Sequence, residues 1–570
     1  MAALISALDN YTPSQIGENG HTEYGWSNQI QERITQLHFQ ITRTDSSKIE
    51  NLANLTNKLL HDIAGAYKTQ TIAKNQYIEY LSVLYKMVGH TRDIIDGKGE
   101  YTLAYMLLKV WHAFNPELAK FAFKHFLVSP EGQADFHPYG SWKDVKFLHK
   151  YDKNCPLVSY GLELINQQLA SDVNSEHPSL VSKWIPREKS QFKDLFTDLA
   201  ISYFPHYLDS AKTEEARNRA VKKAKTDYRK LISSLNKKLD TVQIKQCGRT
   251  WALIDPENQT SITMKRQKKA FLNIDKTGKQ RSEEQDRIDC GIKFKEFAQK
   301  ASRGEVEVKG KRVGLNDFTA EAFKLMNSNS FDEINLLNAQ WVDNSKQTKD
   351  LGKFVAMVDV SGSMHGDPMN AAIALGIRIA EKSKLGKRVM TFSASPQWVD
   401  LSGYDTFVEM VNVMQRADWG MNTNFYLALK MILDAIVNSK LSTEDVEDMV
   451  LCILSDMQMD DAQTDDVKRT QNSLMQQIEQ EYAAAGIKIC GKPYKPPHLL
   501  FWNLRSTSGF PTLSTQQNAS MMSGFSAALL NTFCEEGLNA LQSATPWSTL
   551  LKELEKERYQ ILDKHLRESL

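Results

Sequence analysis

The hydrophobic positions of this chain follow two patterns, one before and one after residue 350. From about residue 45 to 340, apolar residues recur at three- and four-residue steps, as in SKIENLANLTNKLLHDIAGAY and NQYIEYLSVLYKMVGHTRDII. This spacing predicts amphipathic helices, and glycine- or proline-containing breakers separate them. The pattern favours paired antiparallel helices stacked as an irregular, HEAT-like solenoid. A plain all-α lobe is the alternative.

After residue 350, apolar strands alternate with amphipathic helices. KFVAMVDV is a continuous valine-rich run that ends in a Gly/Ser turn, and PMNAAIALGIRIAEKS follows it with a helical pattern. KRVMTFS, DMVLCILSD and HLLFWNLR predict further strands. This order predicts a mostly parallel, doubly wound (Rossmann-like) α/β sheet with helices on both faces. The predicted units are an N-terminal segment 1–44, a helical domain 45–348, an α/β domain 349–545, and a charged, exposed C-terminal helix 546–570.

Composition narrows the function only slightly. The 570 residues include 70 Lys and Arg against 69 Asp and Glu, a net charge of +1, so a nucleic acid would be recognised by a local patch. The six cysteines form no CxxC pair, which favours reduced thiols in a cytoplasmic protein. No stretch approaches the about 20 apolar residues of a membrane helix, and no signal-peptide pattern is present, so we expect neither membrane insertion nor secretion.

Oxygen-bearing side chains follow the predicted strands of the α/β domain. Asp359, Ser361 and Ser363 lie in DVSGSM, Thr423 lies in WGMNTNF before a helix, and Asp456 ends DMVLCILSD. In a doubly wound sheet, ligands bind beyond the carboxyl ends of the strands. Two carboxylates and three hydroxyls suit a hard cation, so these residues predict a site for Mg²⁺ or Mn²⁺. The alternative is a serine-rich turn that caps the next helix.

Together, DVSGSM, the threonine of WGMNTN and the aspartate of LSDMQMD resemble the metal-ion-dependent adhesion site of von Willebrand A domains. The resemblance implies that Ser361, Ser363 and Thr423 ligate the metal through their hydroxyls. It also implies that Asp359 and Asp456 bind the metal directly or through water, and that one coordination position stays open for a partner's carboxylate or a solvent molecule. Where the family often has Gly-Gly-Thr before the helix, this chain has GMNT, a departure that affects the path of the loop.

The resemblance extends into the helical domain. TRDIIDGKGEY, YGSWKDV, KWIPREKS, YRKLISSLNKKLDTVQ and NAQWVDN resemble segments of an uncharacterised helical family joined to a von Willebrand A domain. That family is related to the TROVE module of the Ro autoantigen, a ring of helical repeats closed by the same metal-site domain. Ro proteins bind small structured RNAs outside the ring and single-stranded RNA ends in its hole. The resemblance spans about residues 45–560 and implies RNA binding by analogy.

Positive charge is concentrated in two stretches of the helical domain. Residues 211–245 contain eleven Lys or Arg against four acids, and MKRQKKA adds four basic residues without an acid. Such helices can bind phosphates while a neighbouring ring, from Tyr228, Trp251 or KWIPREKS, accepts a base. The alternative is a solvated helix face whose aromatic residues belong to the core. The candidate RNA-binding residues are Arg219, Lys222, Lys223, Lys225, Arg229, Lys230, Lys237, Lys238, Lys265, Arg266, Lys268 and Lys269.

Two functional hypotheses follow. The first is a Ro-like, non-catalytic ribonucleoprotein component that binds small structured or single-stranded RNA and holds Mg²⁺. The second is a metal-dependent protein-interaction scaffold or assembly factor that captures a partner's Asp or Glu without RNA. We expect no enzyme and no catalytic residues, because the chain has no P-loop or HExxH motif and no evident general base beside the metal. The oligomeric state stays open.

Overall fold

A computed structural model describes residues 12–18, 20–130, 136–328, 330–393, 395–417, 425–458, 474–534 and 538–570. Helices dominate up to residue 345, and strands of one large sheet alternate with helices from residue 353 onward. The predicted order of a helical region and an α/β region is therefore confirmed, whereas HEAT-like repeats stay a prediction. Among the described residues, no helix is both long enough and apolar enough to cross a membrane.

Several of the helices before the sheet start at a capping side chain, and the longer ones bury an apolar face. Asp45, for example, accepts a hydrogen bond from Lys48 N (3.0 Å), and the helix that follows buries Ile49, Leu52 and Ile63. These helices are α1 (Ile30–Gln40), α2 (Ser46–Lys68), α3 (Lys74–Arg92), α4 (Thr102–Phe114), α5 (Pro116–Leu127), α6 (Lys143–Tyr151), α7 (Pro156–Val173), α8 (Val181–Trp184), α9 (Lys193–Tyr203), α10 (His206–Asp209), α11 (Glu214–Lys238), α12 (Val242–Cys247), α13 (Ser261–Phe271), α14 (Gln285–Ser302), α15 (Leu315–Met326) and α16 (Phe331–Ser345).

The large sheet has six strands in the spatial order β5-β4-β3-β6-β7-β8, and a short antiparallel hairpin, β1-β2, precedes it in the chain. All neighbouring strands in the large sheet run parallel except the edge pair β4 and β5. The chain therefore extends the sheet from β3 first in one direction and then, through β6, in the other. The strands are β1 (Ser14–Ile16), β2 (Thr22–Tyr24), β3 (Lys353–Asp359), β4 (Arg388–Phe392), β5 (Gln397–Asp400), β6 (Met449–Ser455), β7 (His498–Asn503) and β8 (Ala519–Ser523).

Helices cover both faces of this sheet, because its central strands alternate apolar side chains toward each face. Ala356 and Val358 pack into one core with α15, and Val355 and Met357 pack into the other with Phe39 of α1. The helices that come after β3 are α17 (Asp367–Lys382), α18 (Phe407–Gln415), α19 (Phe425–Asn438), α20 (Thr443–Glu447), α21 (Leu474–Cys490), α22 (Leu538–Ser543), α23 (Pro546–Leu554) and α24 (Glu557–Ser569).

The end of the chain corrects one expectation. Residues 546–570 form two helices, α23 and α24, rather than one exposed helix, and Tyr559, Leu562 and Leu566 of α24 are fully buried. These side chains join the main core of the helices before the sheet, where α24 packs against α3. The expectation of an exposed terminal helix is wrong, because its charged residues surround an apolar stripe at helical spacing.

We use two names below. The helical region is residues 46–302, and the sheet region is residues 315–533. Helices α15 and α16 are counted with the sheet region, because Phe318 and Trp341 pack in the same core as β3 and α17.

Candidate functional site

The loop after β3 gathers three of the predicted metal ligands. Asp359 is the last residue of β3 and is fully buried, while Ser363 is exposed at the other end of the loop. Asp359 Oδ1 accepts a hydrogen bond from Ser361 N (2.9 Å), which closes a tight turn and directs the next side chains to the same side. Ser361 Oγ and Ser363 Oγ lie 3.1 Å apart. Oxygens from alternate residues thus converge at one point that is open to solvent on one side.

The spacing of the two serine hydroxyls fits two neighbouring ligands of one small cation. Oxygens that bind a single Mg²⁺ octahedrally at about 2.0–2.1 Å lie roughly 2.9 Å apart. The observed 3.1 Å between Ser361 Oγ and Ser363 Oγ is close to that value. A direct hydrogen bond between the hydroxyls would give the same distance, so the spacing is compatible with a cation and does not require one.

Asp456 reaches the same edge from the neighbouring strand. It follows β6, which pairs in parallel with β3, and it is also fully buried. Burial first, and the charge of Asp456 second, raise the pKa of Asp359 to about 7. Ser455 Oγ donates to Asp359 Oδ2 (2.6 Å) and opposes part of that rise. Two buried carboxylates at one edge create a potential that a divalent cation would relieve.

Arg505 is a member of this edge that the sequence interpretation missed. It lies just beyond β7, and its Nη2 and Nε contact Asp456 Oδ2 at 2.6 and 2.9 Å. Arg505 Nη2 also lies 3.6 Å from a carboxylate oxygen of Glu18, so the segment between β1 and β2 borders the site. The rule that placed Asp359 and Asp456 at the carboxyl ends of strands applies equally to a residue after β7 and could have found Arg505.

Thr423, the fifth predicted ligand, lies outside the described residues. The structure therefore brings Asp359, Ser361, Ser363 and Asp456 to one edge of the sheet. Their role as metal ligands stays a prediction.

The first stretch of predicted RNA-binding residues lies on the long helix α11. Most of these side chains are exposed, and Lys225 is half-buried. Some are partly neutralised, since Arg229 Nη1 lies 2.5 Å and Lys225 Nζ 3.9 Å from carboxylate oxygens of Glu188. The exposed members are Arg219, Lys222, Lys223, Arg229, Lys230, Lys237 and Lys238.

Most basic side chains of the second stretch, on α13, form ion pairs with acidic residues of the sheet region. Lys265 Nζ lies 2.5 Å from Asp317, and Lys269 Nζ lies 3.6 Å from Glu333. The buried Lys268 pairs with Glu321 of α15, whereas Arg266 remains exposed. This stretch therefore carries less free positive charge than its sequence suggests.

The predicted aromatic partners differ in their surroundings. Tyr228 is fully buried and donates to Asn166 Oδ1 (3.1 Å), so the expectation that it stacks on a base is wrong. The guanidinium of Arg287 covers the ring of Trp251 at 3.7 Å. Trp184, the tryptophan of KWIPREKS, is half-buried, and lysines rather than an arginine lie over its ring.

Three lysines surround Trp184, and we call this group the Trp184 cluster. The Nζ atoms of Lys143, Lys146 and Lys183 lie 4.7, 5.5 and 5.6 Å from the centre of its ring. None of the three lysines forms an ion pair with a residue that the structure describes. Burial lowers the pKa of each lysine. Repulsion by Lys143 adds to the effect for Lys146, whereas for Lys143 the attraction of Asp144 opposes burial and the repulsion of nearby cations.

A cleft of about 610 Å³ begins at Trp184 and runs along α11. Arg187, Lys189 and Arg229 line it together with the apolar side chains of Ile185 and Ile232, and Glu188, which pairs with Arg229, is the one acid among the described residues of its lining. The cleft therefore connects the Trp184 cluster with part of the predicted basic surface on α11. Its mixture of cations and apolar walls suits a chain of phosphates and bases.

Residues 353–565 match a family model described as "Domain of unknown function (DUF7788)". In addition, an uncharacterised protein of Acanthamoeba polyphaga mimivirus is 28% identical over 502 residues, which cover 83% of this chain and 79% of that protein. The family match begins at β3 and ends within α24, so it includes the sheet edge with Asp359 and Asp456, all of α23 and most of α24. The similarity to the viral protein is longer and must extend well into the helices before β3, because 502 residues exceed the span from β3 to the end of the chain.

Proposed function

We propose that this protein is a Ro-like, non-catalytic RNA-binding protein of the cytoplasm whose von Willebrand A-type sheet region binds Mg²⁺ (or Mn²⁺). The observation that carries the proposal is the Trp184 cluster, in which three lysines without an acidic partner among the described residues converge on one partly exposed ring. The resemblance of the helical segments to the TROVE-related family, described above, supports the same function.

The Trp184 cluster favours an anionic ligand for an electrostatic reason. Like charges held close together destabilise one another. Burial lowers the pKa of Lys146, and repulsion by Lys143 lowers it further. The carboxylate of Asp144, next to Lys143 in the chain, is already bound at both oxygens by Arg92 (2.6 and 2.9 Å). A phosphate would therefore supply the countercharge that the described residues do not provide, while the indole ring offers a surface for a base.

RNA supplies both chemical groups along one chain. A phosphate binds the lysines without regard to sequence, and a neighbouring unpaired base stacks on Trp184. Arg229 of α11 lines the cleft together with Arg187 and Lys189, and other exposed basic residues lie on the same helix. Small structured RNAs with single-stranded ends, or single-stranded RNA itself, fit this combination best because their bases are accessible.

The test is RNA binding measured by fluorescence anisotropy with a labelled single-stranded RNA and a labelled hairpin over a range of NaCl concentrations. Replacing Lys143, Lys146 and Lys183 together by Gln should weaken binding and lower the slope of log affinity against log salt by about 0.7 for each phosphate that the variant no longer binds. Lys564→Gln, on the exposed face of α24, is the matched control for removing a lysine. Absence of RNA binding at low salt, or equal binding by the triple variant, would refute the proposal.

Trp184→Ala separates stacking from charge. It should reduce affinity by about 1–3 kcal/mol per stacked base without changing the salt slope. If Trp184→Ala leaves the affinity unchanged, base stacking on Trp184 is refuted and only phosphate binding by the lysines remains.

A second candidate function is a metal-dependent scaffold that captures a carboxylate of a protein partner. The favouring observation is the exposed position of Ser363, which leaves the metal edge open on one side while Asp359 and Ser361 are buried. Mg²⁺ at this edge would then bind a partner's Asp or Glu at its free coordination position. Pull-downs with the intact protein and with Asp359→Ala, each with Mg²⁺ or EDTA, should recover different partners, and identical partner sets would exclude this function.

A further inference from the structure

A second group of possible metal ligands lies away from the sheet edge. His38 of α1, His90 of α3 and Glu553 of α23 meet inside the protein, and we call them the His-Glu cluster. One ligand atom from each lies within 4.8 Å of those from the other two. All three side chains are essentially inaccessible to solvent. No sequence motif points to this cluster, since its three residues stand far apart in the chain.

The distances suit a small transition-metal ion. Glu553 Oε1 lies 2.7 Å from His90 Nε2, and Glu553 Oε2 lies 3.4 Å from His38 Nε2. Ligand atoms at about 2.0–2.1 Å from a tetrahedral Zn²⁺ lie roughly 3.3–3.4 Å apart. The observed separations bracket that spacing, so small side-chain rotations would complete a three-ligand site.

Hydrogen bonding accounts for only part of the cluster. Glu553 Oε1 pairs with His90 Nε2 at 2.7 Å, whereas His38 Nε2 and Glu553 Oε2, 3.4 Å apart, lack an aligned hydrogen bond with any described residue. Buried polar atoms are nearly always satisfied, so two unsatisfied atoms that face each other indicate a missing binding partner.

Lys98 is a cation close to Glu553, but its hydrogen bonds go to atoms other than the ligand atoms of the cluster. Its Nζ donates to His38 O (2.9 Å), Ile41 O (2.9 Å) and Ser523 Oγ (2.6 Å). An ammonium has three donors, so these acceptors use all of them. Lys98 therefore balances part of the charge of Glu553 without satisfying the imidazole or carboxylate atoms of the cluster.

We propose that His38, His90 and Glu553 bind one divalent transition-metal ion, with Zn²⁺ the best fit, as a buried structural site. Two imidazoles and one carboxylate suit zinc, and the all-oxygen sheet edge suits magnesium, so the two sites select different ions. A solvent molecule would take the fourth position. The ion joins α23, inside the matched 353–565 segment, to α1 and α3, which precede it, and this role is independent of RNA binding.

The test begins with the metal content of the full-length protein, purified without chelator from zinc-supplemented cells and measured by mass spectrometry. One equivalent of a transition metal per chain is expected. His38→Gln, His90→Gln and Glu553→Gln should each lose it, and Asp359→Asn should keep it. His125→Gln is the matched control, because His125 is a buried histidine of α5 outside the cluster. A metal-free wild-type protein, or metal retained by all three cluster variants, overturns the proposal.

His38→Cys covers the case in which the Gln variants fail to fold. Cysteine keeps a ligand at this position, and Co²⁺ bound to a thiolate gives a charge-transfer absorption that two imidazoles and a carboxylate do not. Wild-type protein loaded with Co²⁺ should lack this near-ultraviolet band, and His38→Cys should show it. A folded His38→Cys protein that binds Co²⁺ without the band places the metal elsewhere and overturns the proposal.

Discussion

The helical region and the sheet bury charge in opposite ways. In the helical region, Arg92 and Asp144 are both fully buried and form a two-point ion pair to which Tyr105 adds a hydrogen bond of 2.7 Å. At the strands of the sheet, the buried acids Asp359 and Asp456 lie at neighbouring carboxyl ends, where Arg505 pairs with Asp456 and no described cation pairs with Asp359. Opposite charges that neutralise each other hold a fold together. A buried carboxylate that faces a second one and has no cation of its own marks a place where a ligand is expected.

The first prediction tests the structural half of this comparison. Asp144→Asn leaves Arg92 as an uncompensated buried cation, which should reduce the free energy of unfolding by about 3–5 kcal/mol. Urea denaturation followed by circular dichroism measures the loss. Glu117→Gln, which breaks the exposed Lys120–Glu117 pair (2.9 Å), is the control and should cause no measurable change. Equal stability of Asp144→Asn and the wild type would show that the buried pair does not hold the helical region together.

The second prediction addresses the sheet edge. The pKa of Asp359 is raised to about 7 in the folded protein, above its value of 3.8 when exposed. Without metal, its contribution to stability is therefore full below about pH 4 and is lost as the pH rises through 7, by up to about 4 kcal/mol. Asp359→Asn should abolish this pH dependence, and saturating Mg²⁺ should restore the stability of the wild type near neutral pH.

Unfolding measured between pH 4.5 and 8, with EDTA and with Mg²⁺, checks this prediction. Asp400→Asn is the control, because Asp400 is an exposed acid of β5. If Asp359→Asn and the wild type show the same pH profile in EDTA, Asp359 is already neutralised by another group and the sheet edge is not poised for a cation. Isothermal titration with Mg²⁺ should show binding by the wild type and at least a tenfold loss in Asp359→Asn, since it removes a charged ligand.

The sequence predicted the sheet edge well because local patterns determine it. A valine-rich strand followed by DVSGSM, and a second strand ending in an aspartate, fix Asp359 and Asp456 once the strands are parallel neighbours. The stripe of Tyr559, Leu562 and Leu566 was equally visible at helical spacing, but the many charges around it led to the wrong expectation of exposure.

The long-range pairs could not be predicted in this way. Asp144 could have met any of the Arg and Lys residues of the chain, and Glu553 lies more than 450 residues from His90. Such partners are chosen by the packing of whole helices, for which one sequence offers no signal. The Trp184 cluster could be predicted only in part. KWIPREKS indicated Trp184, but Lys143 and Lys146 come from a different helix, α6.

The third prediction asks whether the sheet tolerates an unpaired charge within its strands. His498 of β7 is buried, and burial lowers its pKa from 6.5 to about 4. Its neutral ring therefore contributes stability that is full above pH 6.5 and is lost as the pH falls toward 4, by about 3 kcal/mol. His498→Gln, which can still bond Ser520 Oγ, should flatten this acid loss. Unfolding midpoints between pH 4 and 7 measure it, and an unchanged slope would assign the acid loss to other groups.

The smallest predicted effect is that of removing the N-cap threonine from one helix in each region. Thr213 caps the basic helix α11 by accepting from Ala216 N (3.2 Å), and Thr406 caps α18 in a reciprocal capping box with Glu409. Helix α18 buries most of its length, whereas α11 buries four of its 25 residues. Thr406→Ala should therefore lower the free energy of global unfolding by about 1 kcal/mol. Thr213→Ala should instead speed amide exchange in the first turn of α11 and leave global unfolding unchanged, because that turn opens on its own. Equal global losses would show that the basic helix unfolds only with the rest of the helical region, and that its surface is as rigid as the core beneath it.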